Sequence, residues 1–143
     1  DLDVRAGCPN LIERIEAGLL SYGNDMSIGD TPFESGLGKY CNLDTATGCL
    51  GHAALMHKQN PGRQIRPLAV AGPAVPPITW SWPLTNTAGD TAGHVSSITW
   101  SPDFEINVAI GMVHKDHWTA GTTLHVQTPD GPRAAEVRDS FWI

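Results

Sequence analysis

Within residues 13–44 of this 143-residue chain, Glu13, Arg14 and Glu16 form one cluster of charge, and Asp25, Asp30 and Glu34 form a second. Tyr22, Phe33 and Tyr40 stand among them, with glycines at 18, 23, 29, 36 and 38. Charges set among residues that a fold would bury need partners, because an unpaired ion in apolar surroundings is costly. Glycines at this density supply turns with positive φ, or let backbone approach a ligand closely. Two readings stay open: a binding site, or a helix end followed by a loop with surface charges. Ile15, Ala17, Leu19 and Leu20 surround Arg14 and Glu16 with apolar side chains. That predicts that both are partly buried and held by ion pairs or hydrogen bonds.

Other chemistries find less support. Of six histidines, His114 and His117 are three apart with no third ligand nearby, and His52 and His57 would not share a helix face. A metal site is therefore not expected. Ser96, Ser97 and Ser101 lie outside any G-x-S-x-G elbow, which disfavours a hydrolase. No G-x-G-x-x-G or G-x-x-x-x-G-K-[ST] loop exists to cradle phosphates. Five tryptophans (80, 82, 100, 118, 142) are more telling. They could pack a small barrel, Trp100 above all, and Trp80 and Trp82 are expected on one strand face. Indole faces also attract cations, by about 0.5–2 kcal/mol.

Fifteen acidic against nine basic residues give a net charge of −6. Nucleic-acid binding, which needs a basic stripe, is not expected. No apolar run reaches the length of a membrane span, and residues 1–7 have no signal-peptide core. Cysteines 8, 41 and 49 form no C-x-x-C pair and read as small buried thiols of a cytoplasmic protein.

Elements must position these residues. Asn10 can cap a helix starting at Leu11, since Leu11, Ile15 and Leu19 have helical spacing. Residues 23–38 read as a loop and 40–43 as a short strand. Thr47 would cap a helix reaching about Lys58, which Gln59, Asn60, Pro61 and Gly62 end. The character then changes, with a boundary between about 60 and 66. Short β-like runs follow at 65–70, 78–84, 94–100, 106–113, 123–127 and 133–138, separated by turn signals. They predict a small antiparallel barrel or sandwich, with a tight hairpin at Pro129, Asp130, Gly131 and Pro132.

The strings RIEAGLLSYGND, TPFESGL and GCLGHAAL carry a family resemblance. They resemble the folate-dependent aminomethyltransferases, the family of the glycine cleavage T-protein. PNLIERIEAGLLSYGND is similar to one branch in particular, the dimethylsulfoniopropionate demethylases. The resemblance runs from about Pro9 to Ile143 and implies an α+β chain. Residues 1–62 would end an α/β folate-binding lobe, and 63–143 would form a small antiparallel β-barrel. In that family the acid that orients the chemistry and the glutamate that grips the pterin lie upstream, so no catalytic residue is expected here. The family segment A-R-D-x-L-R-L-E-A-G aligns on Arg14 to Gly18 and puts Asn10 where the family has a folate-contacting arginine. That departure suits a relative with a different methyl donor.

The resemblance implies tetrahydrofolate as cofactor and a small-molecule substrate, either dimethylsulfoniopropionate or a methylamine donor. Arg14 and Glu16 would be an internal pair in the wall of the folate channel, or an ion pair tying two lobes. Tyr22 and Trp142 would help line the channel. A homo-oligomer is a further partner class. Other readings are a T-protein aminomethyltransferase, the folate domain of a dimethylglycine or sarcosine dehydrogenase, and a non-catalytic folate-binding or docking module.

Overall fold

The computed structural model describes residues 10–45 and 47–143. The expectations for residues 1–7 and for Cys8 lie outside them. Six strands make a closed antiparallel barrel: β1 (Arg63–Val70), β2 (Trp82–Thr85), β3 (Thr91–Ser101), β4 (Ile106–His114), β5 (Thr123–Thr128) and β6 (Gly131–Val137). Their order around the wall is β1-β4-β3-β2-β5-β6, and β6 closes on β1. The runs expected from sequence fall on these strands, except that 78–84 is strand only from Trp82, and the expected turns lie between them. At the β5–β6 hairpin Thr128 pairs with Gly131, whose φ of 112° an L-side chain would resist.

Alternation fills the inside. Leu68, Val70, Leu84, Val95, Ile98, Ala109, Val113, Leu124, Val126 and Val137 pack together with Trp82. β4 differs because it is buried on both faces, which explains its nearly unbroken apolar run. Ala109 and Val113 point inward, while Val108, Ile110 and Met112 point outward under Ile15. Ile15 comes from α1 (Leu11–Glu16). The expected cap is present: the Glu13 N–H donates to Asn10 Oδ1 at 2.9 Å. The helix stops after Glu16, and residues 19–20 form no strand. Asn107, fully buried, secures the proline-rich connection after β1. Its Nδ2 donates to the carbonyls of Val70, Gly72 and Pro73, and its Oδ1 accepts from the Val75 N–H.

Several expectations need correction. Residues 38–40 form a 3-10 turn and no strand follows at 40–43, since the closed barrel leaves no free edge there. The second helix, α2, spans only His52–Met56. Gly51 precedes it with a φ of 86°, so the helix cannot propagate back toward Thr47, and it buries no residue that would stabilise a longer one. Trp80 lies outside the strands and is 69% exposed, whereas Trp82 is inside the barrel, so the two share no face. Trp100 is only partly buried. Cys49 is exposed and Cys41 half-buried, so neither is a fully buried thiol. No described helix is long and apolar enough to cross a membrane.

Candidate functional site

The segment before the barrel is clamped to its outer wall at one irregularity of β3. Val95 pairs with Gly111 but Ser97 pairs with Ile110, so Ser96 is an extra residue in the strand. A bulge of this kind re-aims side chains. Val95 and Ile98 both face the interior, which turns the two serines between them outward together. Both reach Asp25: the Ser96 hydroxyl donates to Oδ1 at 2.7 Å and the Ser97 hydroxyl at 2.6 Å. The Ser21 N–H donates to Oδ2 at 2.7 Å, and Arg14 Nη1 completes the set at 2.7 Å.

Arg14 does more than pair with this carboxylate. Its Nη1 also donates to the Leu19 carbonyl at 2.8 Å, and its Nη2 to Ser97 Oγ at 2.6 Å. Asn24 Nδ2 donates to Ser97 Oγ and to the Ser96 carbonyl. Asp25 is 3% exposed. Burial alone would push its carboxyl up, but the Ser97 and Ser96 hydroxyls, the Ser21 N–H and Arg14 together hold it below its ordinary value.

A second clasp lies further along the loop. Arg63, at the start of β1, pairs with Asp30 at 2.8 Å and Glu34 at 2.9 Å. Glu34 also accepts from the Thr31 N–H. Burial would raise the Glu34 carboxyl, but Thr31 and Arg63 outweigh it and lower the pKa. Between the clasps is a cavity of about 260 Å³ lined by Asp25, Asp30, Arg63 and His94. Desolvation lowers the His94 pKa. Arg63 and His114 lower it further, while Asp30 opposes them.

These shifts predict a two-stage loss of stability on acidification. Below about pH 6.5, the ordinary His value, the unfolded chain takes a proton that folded His94 resists, so stability falls first there. Below about pH 4 the unfolded carboxylates protonate before Asp25 and Glu34 do, and stability falls again. His94→Gln should remove the first decline and keep the second. Urea midpoints measured from pH 8 downward test this, and a flat parent profile between about pH 7 and 5 would refute the His94 contribution.

The four residues singled out in the sequence are not gathered in one place. Arg14 is half-buried and paired as expected, but its partner is Asp25 and not Glu16. The correction is geometric: the guanidinium reaches across to the barrel wall at Ser97, away from its own helix neighbour. Glu16 is 4% exposed, and its Oε1 has no hydrogen-bond partner among the described residues. Its carbonyl accepts from the N–H groups of Trp142 and Ile143, which seats the C-terminal tail against α1. Trp142 lies under the Arg138 guanidinium, 4.7 Å from the ring centre, and is tilted against Phe104. Tyr22 stands apart, 70% exposed.

The largest cavity described, about 600 Å³, opens beside Leu19, Leu20, Leu37, Tyr40, Ile65 and Phe141, with Arg66 and Asp139 at its polar side. None of the four residues lines it. Sequence reasoning missed Ser96, Ser97, Asn24 and Arg63 as members of the clamp. Two adjacent serines in a strand ordinarily face opposite ways, and only the bulge brings them together.

Fold and site together define a class: a small closed barrel whose preceding helix and loop are fastened to its wall by ion pairs, one of them on the buried Asp25. The chain belongs to the glycine cleavage T-protein family, whose C-terminal barrel domain matches residues 63–142. A dimethylsulfoniopropionate demethylase of Ruegeria pomeroyi is 53% identical over 99% of this chain and 38% of its own length. An aminomethyltransferase of Prochlorococcus marinus is 33% identical over 87% of the chain and 33% of its own. The crystal structure of the glycine cleavage system aminomethyltransferase T from Bartonella henselae superposes with a TM-score of 0.81. It is 24% identical, and the match covers 93% of this chain and 37% of that one, so it speaks to the fold alone. The chain thus spans between a third and two fifths of the length of these relatives.

Proposed function

We propose that this chain is the C-terminal part of a cytoplasmic, tetrahydrofolate-dependent methyltransferase that demethylates dimethylsulfoniopropionate. The observation that carries this reading is the 53% identity to a protein of that name along 99% of the chain, against 33% for an aminomethyltransferase. Asn10 supports it too, standing where the aminomethyltransferases have a folate-contacting arginine. Residues 1–62 would then end the folate lobe and 63–143 form the last domain.

Tetrahydrofolate would supply a neutral N5 nucleophile: the sulfonium S–CH3 bond breaks, an N5–CH3 bond forms, the sulfur leaves as a neutral thioether, and N5 loses its proton to solvent. Such a transfer needs no strong base; alignment and water exclusion are the main demands. Glu16 fits the cofactor in one respect. Its buried Oε1, which has no partner among the described residues, is an acceptor for ring or amino N–H donors. Trp142, whose backbone N–H is bonded to the Glu16 carbonyl, offers an aromatic ring, and Tyr22 an exposed one. Arg14 acts through the clamp, by fixing the wall on which Glu16 sits.

The test uses a polypeptide of the relatives' length with tetrahydrofolate and either dimethylsulfoniopropionate or dimethylglycine. Methylmercaptopropionate is the expected product. Consumption of dimethylglycine with dimethylsulfoniopropionate untouched would overturn the reading in favour of an amine donor. Residues 1–143 alone should give no turnover, because a half-built site forgoes most of the roughly 7–11 kcal/mol that alignment can supply.

A further inference from the structure

Arg66 and Arg138 are held alike. The Arg66 guanidinium lies 5.3 Å from the ring centre of Trp118, and its Nε–H donates to the Trp118 carbonyl at 3.1 Å. The Arg138 guanidinium lies 4.7 Å from the ring centre of Trp142, and its Nε–H donates to the Ser140 carbonyl at 3.3 Å. Each group is thus oriented through one nitrogen and one indole face. The terminal nitrogens of both are left without a hydrogen bond or an ion pair among the described residues.

Both side chains line one cavity of about 270 Å³, together with Trp118, Thr119 and Asp139. Arg66 and Asp139 also line the 600 Å³ cavity, so the two spaces adjoin. Lys115 adds a third cation near the same indole, 5.9 Å from its centre. Asp139 is the one carboxylate among the described residues that lines the smaller cavity, and it comes within ion-pair distance of neither arginine. Burial lowers the Arg66 pKa while Asp139 raises it. The chain as a whole is acidic, at −6, so this concentration of cations is local.

A partly buried guanidinium with free terminal donors calls for an acceptor. Its planar fork matches the two oxygens of a carboxylate better than it matches a single acceptor atom, and a preset fork loses little freedom on binding. We propose that Arg66 and Arg138 form a carboxylate-binding site in the smaller cavity, beside the larger one. Its ligand assignment rests on the function proposed above, which brings two carboxylates to the protein. One is the glutamyl tail of the folate, and the other is the propionate end of the donor and product. The positive sulfonium itself is repelled by two guanidinium groups, so a donor bound here would enter carboxylate first.

The test is calorimetric titration of a polypeptide of the relatives' length with tri-γ-glutamate and, separately, with methylmercaptopropionate. Binding of at least one is expected, and the one that binds identifies the source. Arg66→Met or Arg138→Met should weaken it by about tenfold or more, and Arg138→Lys by less, because an ammonium keeps the charge and loses the fork. No binding of either compound would overturn the site. So would unchanged affinity in the two methionine variants. A lowered melting temperature with unaltered affinity also counts against it, because the arginines would then tie parts of the protein together. Arg138, on the tail after β6, is the variant that should fold if Arg66→Met does not. The readout does not depend on methyl transfer: carboxylate binding without turnover would overturn the proposed function and leave this site standing.

Discussion

Asp25→Ala is expected to destabilise the protein by about 3–5 kcal/mol, the range for removing one partner from a buried ion pair. The residue accepts from two hydroxyls, one backbone N–H and the Arg14 guanidinium at 2.6–2.7 Å. Alanine removes the carboxylate on which all four donors converge, and the Arg14 contacts to the Leu19 carbonyl and Ser97 Oγ replace only part of it. In a domain of this size the loss amounts to roughly 10 °C or more in melting temperature. Arg14→Ala should fall in the same range, because Asp25 then keeps its charge without its cation. The two changes act on one network, so the double variant should cost less than their sum. An unfolding free energy within about 0.5 kcal/mol of the parent for Asp25→Ala would show that the clamp is not a stabilising device.

Gly93→Ala should be comparably severe, for a different reason. A Cβ at that position would lie 2.0 Å from the Met112 carbonyl oxygen, and φ is 143°. The obstacle is backbone of the paired strand, so β3 and β4 would have to part. That exceeds ordinary overpacking, which costs about 1–3 kcal/mol. Gly111→Ala is the internal control. There the closest atom is the flexible tip of Leu68, at 2.6 Å, and repacking can absorb part of the clash. Gly93→Ala should therefore be the more damaging of the two by denaturant unfolding. It should also speed amide exchange at Ser96 and Ser97, which lie just beyond the forced gap. Equal destabilisation by both alanines would mean that strand separation is not the controlling cost.

Local chemistry was legible in the sequence, and contacts distant along the chain were not. The Asn10 cap, the β-runs and the turn at Pro129 to Gly131 depend on neighbours within a few residues, and all three are present in the structure. The burial of Arg14 followed from its apolar flanks. Its partner did not, because Asp25 lies across a loop and Ser97 across most of the chain. The helix expected over 47–58 shrank to five residues, none of which is fully buried, a tertiary fact that residue preferences do not contain. The placing of two guanidiniums around one cavity was equally out of reach, since Arg66 and Arg138 meet only after β6 closes on β1.

The span of the clamp has a kinetic consequence. Arg14 and Ser97 are 83 residues apart. The β3–β4 and β5–β6 hairpins close over short turns and can form early, whereas the clamp has no receptor until β3 has its bulge. The helix and loop are then the last elements to dock, onto a barrel already made. Interactions that form after the rate-limiting barrier govern how fast a protein comes apart and hardly touch how fast it assembles. Weakening Arg14 or Asp25 would leave the refolding limb of a chevron nearly in place and raise the unfolding limb, so the clamp sets the lifetime of the folded state.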